Sequence, residues 1–375
     1  MIDGWQIKKI GEVCDLATGG TPSTANPAFY GGDIRWLVSG DIHRREILEC
    51  EGRITDAGVK ASNAKLLPIN SVMIALNGQG KTRGTVALLR TLATCNQSLV
   101  SIAPKASSGL LSEFLFANLH GRYEEIRRLT SDADNDRRGL NMGMIREIRV
   151  PIAPLAQQQR IVAILDEAFD GIATAKANAE KNLQNARELF ESHLQGIDGP
   201  QVPLGELVNI TTGKLDANAA VEGGEYPFFT CSRDIYAIDN FAFDCEALLL
   251  AGNNAVGDFN VKHYEGKFNA YQRTYVITVN AQKRALCRFL YYELLKGLSR
   301  FKSQSVGAGT KFLKIGMIKE LKVSLPGMLE QHRLASLTNR LREEVIALEA
   351  QFVRKLAALD ELKKSLLHQA FSGQL

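Results

Sequence analysis

Two stretches of the chain, 157–194 and 329–371, carry an apolar residue at steps of three or four from end to end, and each can only be a long helix with one apolar stripe. In the second, the stripe is Leu334, Leu337, Leu341, Val345, Leu348, Phe352, Leu356, Leu359, Leu362 and Leu366. In the first it is Ile161, Leu165, Ala168, Ile172, Ala175, Ala179, Leu183, Ala186, Phe190 and Leu194. Proline is absent from both, while Pro154 and Pro326 stand just ahead of them, where a helix accepts it. A helix of about 40 residues is roughly 60 Å long. Stripes of that length need a cover, and an alanine-rich face suits a leucine-rich one. Ile161, Leu165, Ile172, Leu183 and Phe190 are therefore expected to pair with Leu337, Leu341, Leu348, Phe352, Leu359 and Leu366.

The remainder of the chain is doubled too. Ile10-Gly-Glu-Val-Cys-Asp-Leu-Ala-Thr-Gly19 returns as Leu204-Gly-Glu-Leu-Val-Asn-Ile-Thr-Thr-Gly213, and Asn96-Gln-Ser-Leu-Val-Ser-Ile102 as Tyr271-Gln-Arg-Thr-Tyr-Val-Ile277. Leu111-Ser-Glu-Phe-Leu-Phe116 returns as Leu286-Cys-Arg-Phe-Leu-Tyr291, and Gly143-Met-Ile-Arg-Glu-Ile-Arg-Val150 as Gly316-Met-Ile-Lys-Glu-Leu-Lys-Val323. Gln158-Gln-Arg160 then matches Gln331-His-Arg333. One unit, a block followed by a long helix, is used twice.

Within the blocks, strand-like runs lie at 71–76, 84–89, 99–102, 247–250 and 273–279, separated by glycine-rich turns. Amphipathic helices are expected near 110–129 and 285–302. Each block thus reads as α+β with a curved, mostly antiparallel sheet. The chain divides into a first block at 1–152, a helical spacer at 153–198, a second block at 199–325 and a second spacer at 326–375. A compact second block joins the end of one helix to the start of the other only if the helices run antiparallel. That arrangement predicts a pseudo-two-fold repeat with the blocks at opposite ends of a spacer.

Charge points to an anionic partner. Residues 1–150 carry 19 Lys/Arg against 16 Asp/Glu and residues 200–325 carry 15 against 12, an excess of +3 each. The segment 151–199 has 4 against 7, and 326–375 has 7 against 6. Basic and amide side chains in the blocks' turns are the candidates for phosphates and base edges. In the first block these are Arg35, Ser39, Arg44, Arg45, Lys81, Arg83, Gln97, Arg137 and Arg138. In the second they are Lys214, Arg233, Asn253, Asn254, Lys262, His263, Gln272, Arg273 and Lys311.

Enzymatic readings are weaker. Ala75-Leu-Asn-Gly-Gln-Gly-Lys-Thr82 has alanine where a phosphate loop needs glycine, and a strand-like run follows where a helix should. Asn26-Pro-Ala-Phe29 only approaches an adenine-methyltransferase motif. The six histidines, His43, His120, His193, His263, His332 and His368, form no triad pattern and read as surface or helix residues. Six scattered cysteines without a C-x-x-C pair suit a reduced cytoplasmic protein with no metal site. The first residues lack the apolar core of a signal peptide, and no membrane span is expected.

Thr18-Gly-Gly-Thr-Pro-Ser23, Tyr30-Gly-Gly-Asp-Ile34, Trp36 and Ser39-Gly-Asp-Ile42 resemble the opening of a target-recognition domain in the DNA-specificity subunits of type I restriction–modification systems, with Arg35 where proline is expected. Tyr226-Pro-Phe-Phe-Thr-Cys-Ser232, Glu246-Ala-Leu-Leu-Leu250 and Gly266-Lys-Phe-Asn-Ala-Tyr-Gln-Arg-Thr-Tyr-Val276 resemble a second such domain. Leu155-Ala-Gln-Gln-Gln-Arg160, Met328-Leu-Glu-Gln-His-Arg333 and Ala370-Phe-Ser-Gly373 resemble that family's helical regions. The resemblance implies a non-catalytic subunit whose two domains each read half of a split, asymmetric DNA target, with the helices setting the gap. It further implies two modification subunits that bring S-adenosylmethionine for adenine N6-methylation, and restriction subunits that translocate and cleave. A coiled-coil scaffold without DNA readout, and an enzyme using the near-miss loops, are the rival readings.

The spacer expectation is testable. Four residues inserted after Ala179 and four after Phe352 add ~6 Å of helix, and DNA advances ~3.4 Å per base pair, so the preferred gap should lengthen by about one or two base pairs. Methylation mapped on targets of variable gap reads this out; an unchanged gap in an active complex would remove the spacer role.

Overall fold

The computed structural model describes residues 4–78, 80–130, 139–307 and 309–375. Contacts divide it into two compact units, one made of Met1–Ala177 with Leu356–Leu375 and the other of Asn178–Lys355. Each unit therefore takes in part of both long helices.

In the first unit a five-stranded sheet runs in the order Cys14–Thr18, Leu99–Pro104, Val72–Ala75, Val86–Leu89, Glu46–Ile47. Its pairings are antiparallel except for the last. Val72–Ala75 and Val86–Leu89 are apolar and buried at every position, as strands covered on both faces must be. Alternate side chains enter different cores. Val72, Ile74, Val86 and Leu88 pack with Phe114 and Leu115. Met73, Ala75, Ala87 and Leu89 pack with Leu37, Ile42, Ile47 and Cys95. A three-stranded sheet, Arg53–Ile54, Tyr30–Leu37, Thr94–Cys95, completes the block. The helix expected near 110–129 is two helices, Ser112–Gly121 and Tyr123–Arg128, separated at Arg122.

The second unit holds a six-stranded sheet in the order Val208–Thr212, Thr274–Val279, Phe243–Ala251, Val261–Ala270, Tyr226–Phe229, Ile235–Ile238. Its first four strands follow the plan of the first unit: the block's opening strand, its closing strand, then the two central strands. Leu248, Leu250 and Ile277 meet Phe289 and Leu290 of the helix Cys287–Gln304, while Ala247, Leu249 and Val276 meet Phe229 and Phe268. The repeat is thus one of topology as well as sequence. In both units a short strand at the start of the block (Gln6–Lys9, Gln201–Pro203) pairs antiparallel with the strand that leads into the long helix (Arg149–Ile152, Lys322–Ser324).

The long helices are Leu155–Gln195 and Met328–Ser372. Near the start of each, one fully buried glutamine ties helix to block. Gln158 accepts from Leu111 N (2.9 Å) and donates to Gly109 O and Ala153 O (2.7 Å each). Gln331 repeats the set, accepting from Leu286 N (2.9 Å) and donating to Arg284 O (3.1 Å) and Pro326 O (2.8 Å). From these glutamines a seam runs at steps of seven. On the first helix it passes through Leu165, Ile172, Ala179 and Ala186, all buried. On the second it passes through Thr338 and Val345, both buried, and the half-buried Phe352, Leu359 and Leu366. A seven-residue repeat is the period of a left-handed coiled coil.

Within each unit the helices are antiparallel. In the first, Phe169 lies 5.0 Å from Lys363 Nζ and Lys176 bonds Asp360. In the second, Arg187 bonds Glu349 at 2.7 Å and His193 bonds Thr338 at 2.9 Å. Ile161 is buried with Leu367 and Ala370, and Leu183, Phe190 and Leu341 are half-buried. Leu337 and Leu348 are exposed, 36% and 40%, and so is Leu362. These correct the expected pairing: the leucine stripe is wider than a two-helix seam covers, and of its first half only Val345 is buried, together with Ala335 and Thr338, which the stripe omits. Among the described residues no helix is long and apolar enough to cross a membrane.

Replacing Gln331 by leucine strands one buried N–H and two carbonyls. The expected loss is ~2–4 kcal/mol, since an unpaired buried polar group costs ~1–3 kcal/mol. Gln158→Leu should match it. Urea unfolding measures both, and an unchanged midpoint would show that the amide is not a joint.

Candidate nucleic-acid interface

In each block two loops cross at the edge of the sheet. The strand Cys14–Thr18 ends in Gly19-Gly20, and a side chain on Gly19 would fall 1.6 Å from Cys95 O. At the equivalent Gly213 it would fall 1.8 Å from Ala270 O. Only glycine permits the crossing in either copy. Gly20 N donates to Cys95 O at 3.0 Å, Trp36 Nε1 to Gly20 O at 3.0 Å and the Tyr30 hydroxyl to Pro22 O at 2.6 Å. The Thr-Gly-Gly-Thr-Pro, Tyr30 and Trp36 signature thus builds a loop.

That loop borders a polar cleft of about 630 Å3, lined by Thr21, Lys60, Ser62, Asn63 and Gln97 beside the glycines. The Thr21 hydroxyl donates to Gln97 Oε1 at 2.7 Å. Lys60, Asn63 and Gln97 are exposed. Among these, only Gln97 stood out in the sequence, through the repeat. Lys60 and Asn63 lie in an unremarkable polar run, and only folding brings that run beside Gly20.

In the second unit the crossing gathers more cations. Gln272 N donates to Leu215 O at 2.8 Å and Gln272 Nε2 to Asp216 Oδ2 at 3.3 Å. Arg273 O accepts from Gly252 N at 2.9 Å, and its guanidinium lies 5.2 Å over the Phe312 ring. Asn253 and Asn254 pair with Phe312 and Lys311 in a two-stranded ribbon. Lys214, Gln272, Arg273, Asn253, Asn254 and Lys311 therefore share one rim, with Lys214, Gln272 and Arg273 exposed on it. Asn254 is partly committed, its Oδ1 accepting from Val256 N and Asp258 N.

Several of the other candidates are bonded to partners in the fold. Arg35 grips Glu49 with two bonds, of 2.9 and 2.8 Å, and Arg53 joins them. The Arg35 guanidinium, aided by Cys50 N, holds the Glu49 carboxyl down at about 2, so this cation faces a permanent anion. Arg83 is buried and is no surface cation. Arg45 bonds Asp166 of the long helix and covers Phe116. Arg233 pairs with Asp258 at 2.5 Å. Lys262 donates to Ser232 O (2.5 Å) and Asn260 Oδ1 (2.8 Å), and burial lowers its pKa. Ser39 opens a short 3-10 turn, Ser39–His43, whose Asp41 carboxylate takes Val38 N at 2.8 Å. Arg44 and Lys81 are exposed, Lys81 in a turn between adjacent antiparallel strands. Arg137 and Arg138 lie outside the described residues.

His263 departs from the surface reading of the histidines. Arg288 Nη1 lies 2.9 Å from its Nδ1, and Glu246 Oε1 lies 2.7 Å from its Nε2. Because a guanidinium only donates, the ring proton sits on Nε2 and is given to Glu246. Cys287 lies close by, with ligand atoms of all three residues within 4.8 Å of one another. Neither ring nitrogen keeps a free lone pair, and burial pushes the Cys287 thiol up to about 12. Glu246, His263 and Arg288 form a hydrogen-bonded joint, continued from Arg288 Nε to Asn339 of the long helix at 2.9 Å, with Cys287 beside it. His120 is likewise enclosed; burial, with Lys363 and Arg45 beside it, lowers it to about 4.

A doubled block that crosses two loops over glycine and joins an antiparallel helix pair defines a class. The model of the type I restriction modification DNA specificity domain matches the chain twice, over 2–184 and 200–356, and the chain belongs to that family. It is similar to the specificity subunit of the type I restriction enzyme EcoDI from Escherichia coli, 39% identical over 179 residues, which are 48% of this chain and 39% of the relative. That match thus spans about two-fifths of the relative's length. The MjaIX specificity subunit of Methanocaldococcus jannaschii is 22% identical over 99% of this chain and 93% of its own. Two solved structures share the fold over the whole chain. A chain from a study of type I restriction–modification complex assembly has a TM-score of 0.78 at 19% identity, covering 100% of this chain and 99% of that one. The HsdS subunit from Thermoanaerobacter tengcongensis has a TM-score of 0.63 at 18% identity, covering 100% and 98%.

Arg273 is an exposed cation of this rim, its guanidinium 5.2 Å over the Phe312 ring. Arg273→Ala should cost ~1–3 kcal/mol on the cognate duplex and little on random DNA. Titrations on both duplexes decide: equal losses would make it a phosphate contact, and no loss would make it scaffold.

Proposed function

We propose that this chain is the non-catalytic DNA-reading subunit of a type I restriction–modification complex, each block recognising one half of a bipartite, asymmetric target. The observation that carries the reading is the pair of equivalent glycine crossings with unlike rims. Thr21, Lys60, Asn63 and Gln97 surround one, and Lys214, Asp216, Gln272 and Arg273 the other. A common frame with different polar edges suits two different base sequences.

In this reading catalysis belongs to partners in the cytoplasm. Two modification subunits carry S-adenosylmethionine and methylate adenine N6, and restriction subunits translocate and cleave. The paired helices give those partners a surface and set the gap between half-targets. A coiled-coil scaffold without DNA readout predicts no salt-dependent DNA binding, and an enzyme predicts turnover by the purified chain alone.

Exchanging residues 1–152 for the equivalent block of a relative should replace one half of the methylated target and leave the other intact. Methylation mapping in cells that carry the cognate modification subunit gives the answer. Simultaneous change of both halves would overturn the modular reading.

A further inference from the structure

Gln97 and Gln272 occupy the same position in the two repeats, next to the glycine crossing, and both are exposed. Their neighbours hold opposite ends of the amide. Thr21 Oγ1 donates to Gln97 Oε1 at 2.7 Å, and Gln97 Nε2 makes no bond among the described residues. Asp216 Oδ2 accepts from Gln272 Nε2 at 3.3 Å, and Gln272 Oε1 makes no bond among the described residues. A carboxylate only accepts, so Asp216 must take the nitrogen end. A hydroxyl donates as readily as it accepts, and here it donates to the oxygen end.

We propose that Thr21 and Asp216 are positioning residues that set which hydrogen-bond face each half of the protein shows to DNA. With its oxygen held, Gln97 offers two free N–H donors to the cleft it shares with Lys60 and Asn63. It matches a base that presents acceptors in the major groove, such as guanine through N7 and O6 or thymine through O4. With its nitrogen held, Gln272 offers a free carbonyl beside Arg273. It matches a base that presents a donor, adenine through N6 or cytosine through N4. Repeat-equivalent residues of one type thus read opposite chemistry, and each reading is set by a neighbour that touches no base.

This inference rests on the chain being a DNA-reading subunit, and the test separates the two. The full chain, assembled with its cognate modification subunits, methylates a library randomised in both half-targets. Thr21→Asp should reverse the amide of Gln97 and move one position of one half-target from guanine or thymine to adenine or cytosine, on the order of tenfold. Asp216→Thr, whose hydroxyl can hold either end of the amide, should relax one position of the other half. In a Gln97→Leu background Thr21→Asp should have no further effect on base choice. Thr21→Val, close in shape, only removes the hold and should relax that position; it decides the matter if the aspartate variant fails to assemble. Unchanged base choice in active Thr21→Asp and Asp216→Thr complexes overturns the proposal while leaving DNA reading intact. So does a change that persists without Gln97. An unmodified complex that selects no half-target overturns both readings.

Discussion

A side-chain amide buried with main chain on every side is what the architecture depends on. Gln158 and Gln331 each satisfy one N–H and two carbonyls where block meets helix. These backbone groups lie at turns and element ends, where no ladder partner exists, and leaving them dry and unpaired would be strongly unfavourable. The same glutamines open the seven-residue seam along which the helices pack. One residue type therefore anchors the block and sets the start of the helix register in each unit.

The fold was legible where periodicity or repetition exposed it. The long stripes announced two helices, and the matched segments announced a doubled block. Val72–Ala75 and Val86–Leu89 read as strands because they are apolar throughout, as two-sided burial requires. The exact seam was less legible. Counting every apolar residue at helical spacing put Leu337 and Leu348 on it beside Val345, whereas burial falls on Val345 with Ala335 and Thr338. A threonine at a buried seam position gives no hydropathy signal; it is accommodated because its hydroxyl bonds Leu334 O and His193.

The candidate interface was legible only in part, for an electrostatic reason. Residue type shows that a side chain is a cation but not whether an anion already faces it. Arg35, Arg45 and Arg233 are matched by Glu49, Asp166 and Asp258, partners distant in sequence. Arg273 and Gln272 remain on an exposed rim because the turn at Gly213 and the ribbon to Phe312 hold them there. Lys60 and Asn63 carried no signal at all, since nothing in their own segment marks them. Gln97 was found only because the second copy repeats it.

The buried amides recognise main chain and nothing else. Among the described residues no partner of Gln158 or Gln331 is a side chain, so these bonds are indifferent to the identity of the residues they clasp. A block whose surface has drifted beyond recognition still presents the same N–H and carbonyls and still seats on its helix. Such a joint is portable in this one bond set, whereas the side-chain contacts Arg45–Asp166 and Arg288–Asn339 tie each block to the particular residues of its helix.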